Sequence, residues 1–439
     1  MTTPSRSSVA ATFLASRFAR GVRPELAVHP DDEMLGFALA GRAGERDPAL
    51  AEYLWNGRWI ADTVLGLVEA RFGSARRCER MLDFACGYGR LTRWLAAELG
   101  PGRVVVSDIL APAVDFQRER FGVEGFVSTA RPEELPCAER FDLVWVGSLF
   151  THLPEPAFRG WLARLAALVG ERGLLAFTTL DMSLSPEGRD VGGAGHRFAP
   201  VSESRVLDTD AYGTAWVTPH YVARTVAALP GSWQHRRLAR GVCDYQDLIL
   251  VAPDASESLD RLPLDPGPIG FVERAEVVEG RRLVVSGWAW DGGVERPVAA
   301  VEVALAGGPP ARTETLGVRV GSDLAGIAAT GAATDWRLET ALDDDVAPAA
   351  LPVWVAATGA SGSEKLFFLG TLGELLRLGV GRERDGWRGR AELAEARAEL
   401  FAASGFGRLH RAWLRAKRAL GRLPADFPAD LLEAPRRRR

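Results

Sequence analysis

The chain has 439 residues, of which 47% are hydrophobic and 25% are charged, and its formal net charge is -4. This length exceeds one ordinary domain, so we expect two or three compact units, and the slightly acidic balance gives no general attraction to nucleic acid. The four cysteines have no C-x-x-C spacing, which indicates neither a zinc site nor a disulfide framework and fits a reducing cytoplasm.

The first 52 residues predict a helical extension. Their apolar run, Val9–Ser16, is short and leads straight into Arg17 and Arg20, so it predicts a weak amphipathic helix rather than a secretion signal. No stretch of the sequence approaches the roughly 18 apolar residues of a membrane span. We therefore expect a cytoplasmic protein.

The run MLDFACGYGR, from Met81 to Arg90, predicts a buried strand that breaks into a glycine turn and opens a helix. Gly87 and Gly89 let the backbone pass close to a ligand. A second apolar strand (RVVVSD) follows and ends in Asp108, about 20 residues after the glycines, which is the spacing at which an acid meets ribose hydroxyls. The two features together predict a nucleotide-like ligand.

The residues also indicate which nucleotide is bound. A dinucleotide fingerprint needs G-x-G-x-x-G, so that a pyrophosphate sits on the helix N-terminus, but this chain lacks the third glycine. Asp83, just ahead of the turn, suits a cationic ammonium group better than a phosphate. At this point the sequence resembles the class I S-adenosylmethionine-dependent methyltransferases, whose first motif is an acidic residue followed by G-x-G-x-G. Asp83, Gly87 and Gly89 match that motif, with Ala85 in place of the first glycine.

The resemblance covers residues 53–253 and implies an α/β fold with a Rossmann-like sheet of seven strands. Phe141–Gly147 resembles the fourth strand, and Ser148–Leu153 resembles its ligand-side loop. Two late strands, at 233–239 and 246–252, are close enough to pair as the antiparallel hairpin that ends this fold. A dehydrogenase would more often continue with strand–helix–strand units.

The resemblance implies S-adenosylmethionine as the cofactor. Asp83 and the glycine turn should cradle its methionine part, Asp108 should accept hydrogen bonds from both ribose hydroxyls, and Ile109 should pack on adenine. The residues expected to contact the cofactor are Asp83, Ala85, Cys86, Gly87, Gly89, Asp108, Ile109, Ser128, Thr129, Ser148 and Leu149. Plain surface or capping roles for the two acids are the alternative, and their position at two successive strand ends speaks against it.

The acceptor is recognised by loops that vary freely on one fold, so its site is less defined. A hydroxyl acceptor needs a base, and His152, just past the fourth strand, is the first candidate; bracing of the loop is the alternative. Tyr212, in an insertion over residues 181–217, is the second candidate catalytic residue. Further candidates for the acceptor pocket, each with packing as an equal alternative, are Asp181, His196, Asp210, Trp216, His220 and Tyr221.

Several other methyltransferase chemistries do not fit the sequence. Adenine amino methylation normally uses an N-P-P-Y-like loop after the fourth strand, where this chain has GSLFTH. Cytosine C5 methylation needs a cysteine after a proline in that loop, yet Pro136 and Cys137 precede the strand. The sequence also lacks a three-cysteine iron–sulfur motif, and its catalytic half lacks a basic stripe for nucleic acid. A small-molecule or glycan acceptor remains.

A polar, proline-rich linker at 254–267 precedes a region of short alternating strands, which predicts a β-sandwich over residues 268–373 without a helix of its own. The strands are expected at 282–289, 299–305, 312–320, 336–342, 352–357 and 365–370. The segment VVSGWAWDGG (Val284–Gly293) resembles the GWA-x-D strand of small β-sandwich modules appended to bacterial glycosyltransferases and related surface-polysaccharide enzymes. We interpret Trp288 and Trp290 as core and rim aromatics, with sugar stacking as the alternative.

Residues 374–439 predict a basic helical tail. In Ala391–Gly421, apolar positions alternate with arginines and a lysine at helical spacing, and the chain closes with four arginines. Such a helix can lie on an anionic membrane surface or pack on a partner protein, and a solvated face is the alternative. The first option would make the protein peripheral at the inner membrane face.

Together these features predict a cytoplasmic S-adenosylmethionine-dependent methyltransferase that acts on a sugar hydroxyl in surface-polysaccharide or glycolipid assembly, without a metal. Two alternatives stay open. One is O- or N-methylation of a small specialised metabolite, which predicts a closed apolar pocket. The other is a non-catalytic scaffold that retains the fold. The oligomeric state is not predicted.

Overall fold

The computed structural model describes residues 8–185, 195–202, 204, 206–243, 245–264, 267–279, 281–291, 298–306, 308–313, 317–318, 334–342 and 348–381. The chain divides into two compact units: Phe13–Leu264 is the first, and Asp265–Arg439 together with Met1–Thr12 is the second. The predicted basic helix at 391–421 lies outside the described residues. Among the described residues, no helix combines the length and apolarity that a membrane crossing requires.

Seven helices lie between residues 8 and 264 in the described part of the chain. They are α1 (Val9–Ala15), α2 (Glu33–Gly41), α3 (Arg46–Phe72), α4 (Thr92–Leu99), α5 (Ala111–Phe121), α6 (Glu155–Ala166) and α7 (Pro219–Ala227). Helix α2 begins after Asp32, whose carboxylate accepts hydrogen bonds from the backbone N–H groups of Met34 and Leu35. The domain boundary predicted between residues 52 and 53 falls inside α3, so one continuous helix joins the extension to the sheet domain.

Within the described residues, nine strands form one sheet in the first unit. They are β1 (Met81–Phe84), β2 (Val104–Asp108), β3 (Glu124–Val127), β4 (Phe141–Val146), β5 (Val169–Asp181), β6 (His196–Ala199), β7 (Thr214–Val217), β8 (Trp233–Val242) and β9 (Gln246–Pro253). Strands β3, β2, β1, β4 and β5 lie side by side in that order and run parallel. Strand β9 pairs antiparallel with β5, and β8 with β9. The predicted Rossmann-like α/β fold with a terminal hairpin is confirmed.

Strands β6 and β7 add to the predicted seven. Strand β5 is 13 residues long. On its side away from β4, strand β9 pairs only with Leu175–Thr179. The end of β5, Leu180 and Asp181, pairs instead with β7, which continues to β6. The sequence predicted an insertion at 181–217 and did not single out these strands, because two four-residue strands in a polar segment show little periodicity.

The core of the first unit fixes the sheet against α6. The apolar face of this helix, which includes Phe158, Trp161 and Leu165, is buried together with Phe84 of β1 and Val144 of β4. Each fully buried side chain of this size stabilises the fold by about 1.5–3 kcal/mol. Because β1, β2 and β4 are parallel, their carboxyl ends lie at one edge of a rigid sheet, which we call the carboxyl edge.

The second unit is a β-sandwich of two four-stranded antiparallel sheets, as far as the structure describes it, with the orders β10-β11-β15-β14 and β13-β12-β16-β17. Its strands are β10 (Pro268–Val278), β11 (Arg282–Asp291), β12 (Ala300–Leu305), β13 (Ala311–Thr313), β14 (Gly317–Val318), β15 (Thr334–Ala341), β16 (Pro352–Thr358) and β17 (Glu364–Thr371). Side chains from both sheets, such as Val285 and Val355, share one core. Trp288 is buried, as its packing interpretation expects.

The sandwich differs from expectation in three places. The sequence missed β10, and the strand expected at 312–320 is described as two short strands, β13 and β14. A helix, α8 (Leu372–Gly381), also belongs to the sandwich, because Leu372 and Leu375 are buried in its core. The helix therefore begins two residues before the predicted start of the helical tail at residue 374, and its first turn packs in the sandwich core.

Candidate functional site

The turn after β1 has a backbone that favours glycine. Ala85, Gly87 and Gly89 all have positive φ, at 58°, 55° and 84°. A Cβ on Gly89 would lie 2.3 Å from the Phe121 ring of α5, so a larger residue would push the turn away from that helix. A Cβ on Gly87 would meet nothing within 4 Å, so this part of the turn faces open space where a ligand has room.

Two carboxylates lie against this turn, and both are buried. Asp83 is 2% exposed, and its Oδ2 accepts a hydrogen bond from Thr92 Oγ1 at 2.7 Å. Asp108 is 7% exposed; its Oδ2 accepts from the backbone N–H of Gly87 at 2.8 Å and its Oδ1 from that of Leu110 at 3.0 Å. The first strand end thus positions one acid, and the second strand end ties the other acid to the turn.

The electrostatics of the two acids favour a cation. Burial raises the pKa of Asp83, the Thr92 hydrogen bond opposes the rise and the charge of Asp108 adds to it, with a net pKa of about 7. Burial also raises the pKa of Asp108. A positively charged group beside these carboxylates would relieve both the desolvation and the repulsion between them.

The other residues predicted around the turn have different surroundings. Ile109, after β2, is 39% exposed and offers an apolar surface. The Cys86 thiol accepts a hydrogen bond from Gln117 Nε2 at 3.0 Å, and burial raises its pKa well above the usual value, so it is a neutral group that ties the turn to α5. The backbone N–H of Ser128 donates to the Asp108 carbonyl at 2.9 Å, and Thr129 Oγ1 donates to the Arg131 carbonyl.

The loop after β4 contains Ser148 and Leu149, as expected. Ser148 has a positive φ of 63°, and its N–H donates to Thr178 Oγ1 at 2.8 Å. Its hydroxyl oxygen accepts a hydrogen bond from Gln246 Nε2 at 3.0 Å, while Leu149 packs on the core. The sequence did not single out Gln246, which begins β9 and is buried beside this loop.

The two predicted catalytic residues contact each other. The ring of His152 stacks on that of Tyr212, with the ring centroids 4.4 Å apart and the planes 16° apart. His152 is 7% exposed, and its Nδ1 lies 2.6 Å from the Gly213 carbonyl oxygen. A carbonyl only accepts, so Nδ1 carries a proton, and the tautomer with this hydrogen bond has its lone pair on Nε2. His152 therefore braces the insertion against the β4 loop.

Three of the six other acceptor-pocket candidates have structural partners. Asp181 accepts a hydrogen bond from Arg237 at 2.7 Å. His196 lies 3.2 Å from the Leu153 carbonyl oxygen, and burial lowers its pKa, so it is neutral. Tyr221 is fully buried beside His196, which assigns both to the packing alternative.

The remaining three candidates divide by exposure. Trp216 is half-buried in β7, whereas Asp210 and His220 are exposed. The structure therefore does not bring the candidates of the insertion together as one cluster.

A segment ahead of the predicted domain also lies at the glycine turn. Arg93, buried in α4, donates from Nη1 to the carbonyls of Glu25 and Ala27 at 2.6 and 3.2 Å, and from Nε to that of Gly89 at 3.1 Å. The His29 ring stacks on Tyr88, within the turn, at 4.4 Å. An arginine among the apolar positions of α4 indicates a buried polar contact, but the sequence does not show which residues are its partners.

The insertion spans the carboxyl edge, and we call its described residues 195–202, 204 and 206–217 the bridge. At one end, the N–H groups of Gly213 and Ala215 donate to the carbonyls of His152 and Thr151. Further along, Ser204 Oγ lies 3.3 Å from a carboxylate oxygen of Glu33, at the start of α2. The bridge therefore crosses from the β5 side of the sheet to the N-terminal helices.

This arrangement defines a class of fold: a Rossmann-like α/β domain whose candidate site lies at the carboxyl edge of its sheet. Residues 81–173 match the family model described as a methyltransferase domain. The match begins at β1 and ends in β5, so it includes the glycine turn, Asp108 and the β4 loop. No curated protein sequence matches this chain.

Solved structures similar to this chain include the complex of DhpI with SAH, at 19% identity, covering 50% of this chain and 95% of that one with a TM-score of 0.32. An O-methyltransferase family protein from Burkholderia thailandensis is 16% identical over 49% of this chain and 62% of that one, with a TM-score of 0.33. Magnesium protoporphyrin IX methyltransferase from Synechocystis PCC 6803 is 15% identical over 47% of this chain and 87% of that one, with a TM-score of 0.33. Likenesses at this level carry no conclusion about this chain.

The residues at the turn fit S-adenosylmethionine, the predicted cofactor. Its sulfonium and ammonium groups are cations, and the donor set is a pair of buried carboxylates, Asp83 and Asp108. The open space in front of Gly87 leaves room for the ligand, and exposed Ile109 offers a surface for an aromatic ring. The methyltransferase-domain match and this donor set agree on S-adenosylmethionine as the cofactor.

Proposed function

We propose that the protein transfers a methyl group from S-adenosylmethionine to a sugar hydroxyl in surface-polysaccharide or glycolipid assembly. The observation that carries methyl transfer is the pair of buried carboxylates, Asp83 and Asp108, beside a glycine turn that faces open space. The sugar acceptor is supported by the sequence segment Val284–Gly293, which resembles part of the modules appended to polysaccharide-related enzymes.

S-adenosylmethionine supplies an electrophilic methyl group, so the protein must bind it, orient the acceptor and exclude water. Asp83 and Asp108 hold the cationic cofactor at the ends of β1 and β2. The loop after β4, with Ser148, borders the place where the methyl group and the acceptor meet. The bridge covers this loop and limits the access of water.

A hydroxyl acceptor must lose its proton during the attack. His152 is the proposed base, because its Nδ1 hydrogen bond to the Gly213 carbonyl fixes the tautomer that leaves Nε2 basic. Tyr212 stacks on the ring and holds its plane. A base that is also braced by its surroundings is already oriented when the acceptor arrives.

Titration calorimetry with S-adenosylmethionine tests the proposal at its first step. The wild-type chain should bind the cofactor, and Asp108→Asn should weaken binding, because it removes a carboxylate from the turn. Asp115→Asn, an exposed substitution on α5, is the matched control and should bind as wild type does. Absence of wild-type binding at high micromolar cofactor would refute the proposed activity.

The acceptor class needs a second experiment. Methyl transfer should be screened against sugar nucleotides, free sugars and lipid-linked sugars, with the mass of the product as readout. A gain of one methyl group on a sugar hydroxyl is the expected result. Turnover on a small non-sugar metabolite alone would replace the sugar acceptor with that metabolite.

A further inference from the structure

Exposed apolar side chains of the first unit gather at the carboxyl edge of its sheet. Ile109 follows β2, Val127 ends β3, Leu184 follows β5, and all three are exposed. Tyr245 is 49% exposed between β8 and β9; β9 runs antiparallel to β5, so this turn faces the same edge. The edge that contains the cofactor turn is therefore bordered by apolar surface.

Four more exposed apolar side chains border the same place. Leu26 lies in the segment that Arg93 fastens to the glycine turn, and Val201 lies in the bridge. Phe37, 68% exposed, lies one helical turn after Glu33 on the same face of α2. Val206, 65% exposed, belongs to the part of the bridge that bonds Glu33 through Ser204.

All eight large exposed apolar side chains that the structure describes between residues 13 and 264 thus lie around the carboxyl edge. Single exposed apolar residues are normal on a protein surface and need no explanation. Their gathering at one edge, around a ligand site, indicates a surface that is covered when the protein functions. This edge is where the acceptor must approach the methyl group.

The charges at this edge disfavour a phosphate. Three carboxylates lie close together here: the charge of Asp108 raises the pKa of Asp83, and the charge of Glu33 raises the pKa of Asp108. Arg237 of β8 already forms ion pairs with Asp181, at the end of β5, and with Asp247, at the start of β9. A diphosphate placed here would be repelled by the carboxylates.

We propose that the acceptor is a neutral amphiphile, a sugar attached to a hydrocarbon chain, with the chain lying across Phe37 and Val206. The proposal rests on the methyltransferase function above and narrows its acceptor from sugars in general to glycolipids. Sugar nucleotides fit poorly, because they place a diphosphate next to Asp108 and Glu33. The sugar then reaches under the bridge toward the methyl donor, and the chain stays at the apolar rim.

The test uses the full chain with S-adenosylhomocysteine present, and n-hexyl and n-octyl β-glucosides below their micelle concentrations, glucose and UDP-glucose as probes. Calorimetry should give an affinity that rises by about two- to fourfold for each added methylene, the increment for partial to full burial of that group. UDP-glucose should bind more weakly than octyl glucoside. Affinity that is independent of chain length, or tighter binding of UDP-glucose, would overturn the proposal.

Substitutions on the protein surface test where the alkyl chain of the glucoside binds. Phe37→Ser and Val206→Ser should flatten the dependence on chain length, whereas Val277→Ser, an exposed position on β10, should not. All three should bind S-adenosylmethionine as wild type does. An unchanged chain-length dependence in Phe37→Ser and Val206→Ser would place the alkyl chain elsewhere and defeat the inference. Loss of cofactor binding by the wild type defeats the proposed function instead, so the two failures are distinguishable.

Discussion

Asp83 is the residue whose protonation should control cofactor binding. Its pKa is about 7 in the folded protein, because burial and the neighbouring Asp108 both disfavour its charge. The ionised carboxylate attracts a cation, and the protonated form does not. Cofactor affinity should therefore be highest above pH 7 and weaken as the pH falls, by about tenfold between pH 8 and pH 6.

Calorimetry with S-adenosylmethionine across pH 5.5–8.5 measures this dependence. Asp83→Asn is the control, because its amide oxygen can still accept from Thr92 but its charge is constant. This variant should bind weakly at every pH, with a flat profile near pH 7. A wild-type profile that is also flat would mean that Asp83 does not titrate in this range.

His152 can act as a base and as a brace, and two substitutions separate these roles. His152→Ala should lower methyl transfer by about a hundredfold or more with little change in cofactor affinity, as expected for the loss of a general base. His152→Asn can still donate to the Gly213 carbonyl but supplies no basic nitrogen. Equal loss in both variants supports the base, whereas recovery in His152→Asn reassigns the residue to bracing.

The residues of the cofactor turn were predictable because their signal is local. A strand end, glycines at fixed offsets and a second strand that ends in an acid are all encoded within one stretch of sequence. Gln246 bonds Ser148 from 98 positions away, and Arg93 bonds Glu25 from 68 positions away. No periodicity or spacing in a single sequence marks such pairs, so the sequence analysis missed them.

At the scale of elements, the predicted strands and helices were those with strong apolar patterns. Buried parallel strands read as continuous apolar runs, and α6 shows a clear stripe. Strands β6 and β7 are four residues each and lie in a polar insertion, so nothing in their pattern separates them from a loop. Strand β10 was missed because Gly270, Glu273 and Arg274 interrupt its apolar positions.

The segment ahead of α2 should depend on Arg93. Arg93→Lys leaves one ammonium where a planar guanidinium donates to three backbone carbonyls, those of Glu25, Ala27 and Gly89, so it should leave buried acceptors unpaired. We expect a fall of about 1–3 kcal/mol in the free energy of unfolding for each acceptor left unpaired. Cofactor affinity should fall as well, because Gly89 belongs to the turn.

Chemical denaturation and limited trypsin digestion measure these effects. In Arg93→Lys, trypsin should cut sooner after Arg20 or Arg23, near the released segment. Arg118→Lys, exposed on α5, is the matched control and should match wild type in both assays. Normal stability and protection in Arg93→Lys would show that other contacts hold the segment.

At the scale of the molecule, the boundary between the units falls at residue 264, near the end of the predicted linker at 254–267. Residues 254–264 were expected to be linker, yet Leu259 and Leu262 are buried, and their carbonyls accept hydrogen bonds from Arg236 of β8. Arg71 of α3 donates to the Glu257 carbonyl in the same way. This part of the expected linker therefore completes the first unit, whose boundary is at residue 264.

A chain that ends at residue 264 should therefore behave differently from one that ends at residue 253. The longer piece keeps the acceptors of Arg71 and Arg236, whereas the shorter piece leaves both guanidinium groups without these carbonyls and exposes the core that Leu259 covers. The 1–264 piece should bind S-adenosylmethionine within about twofold of the full chain. It contains every residue of the cofactor turn and the segment that Arg93 bonds, at Glu25 and Ala27. The 1–253 piece should unfold at lower temperature, by several degrees for each kcal/mol lost.

Calorimetry and thermal unfolding of the two pieces beside the full chain measure both effects. A folded 1–264 piece that fails to bind the cofactor would mean that residues beyond 264 contribute to the site.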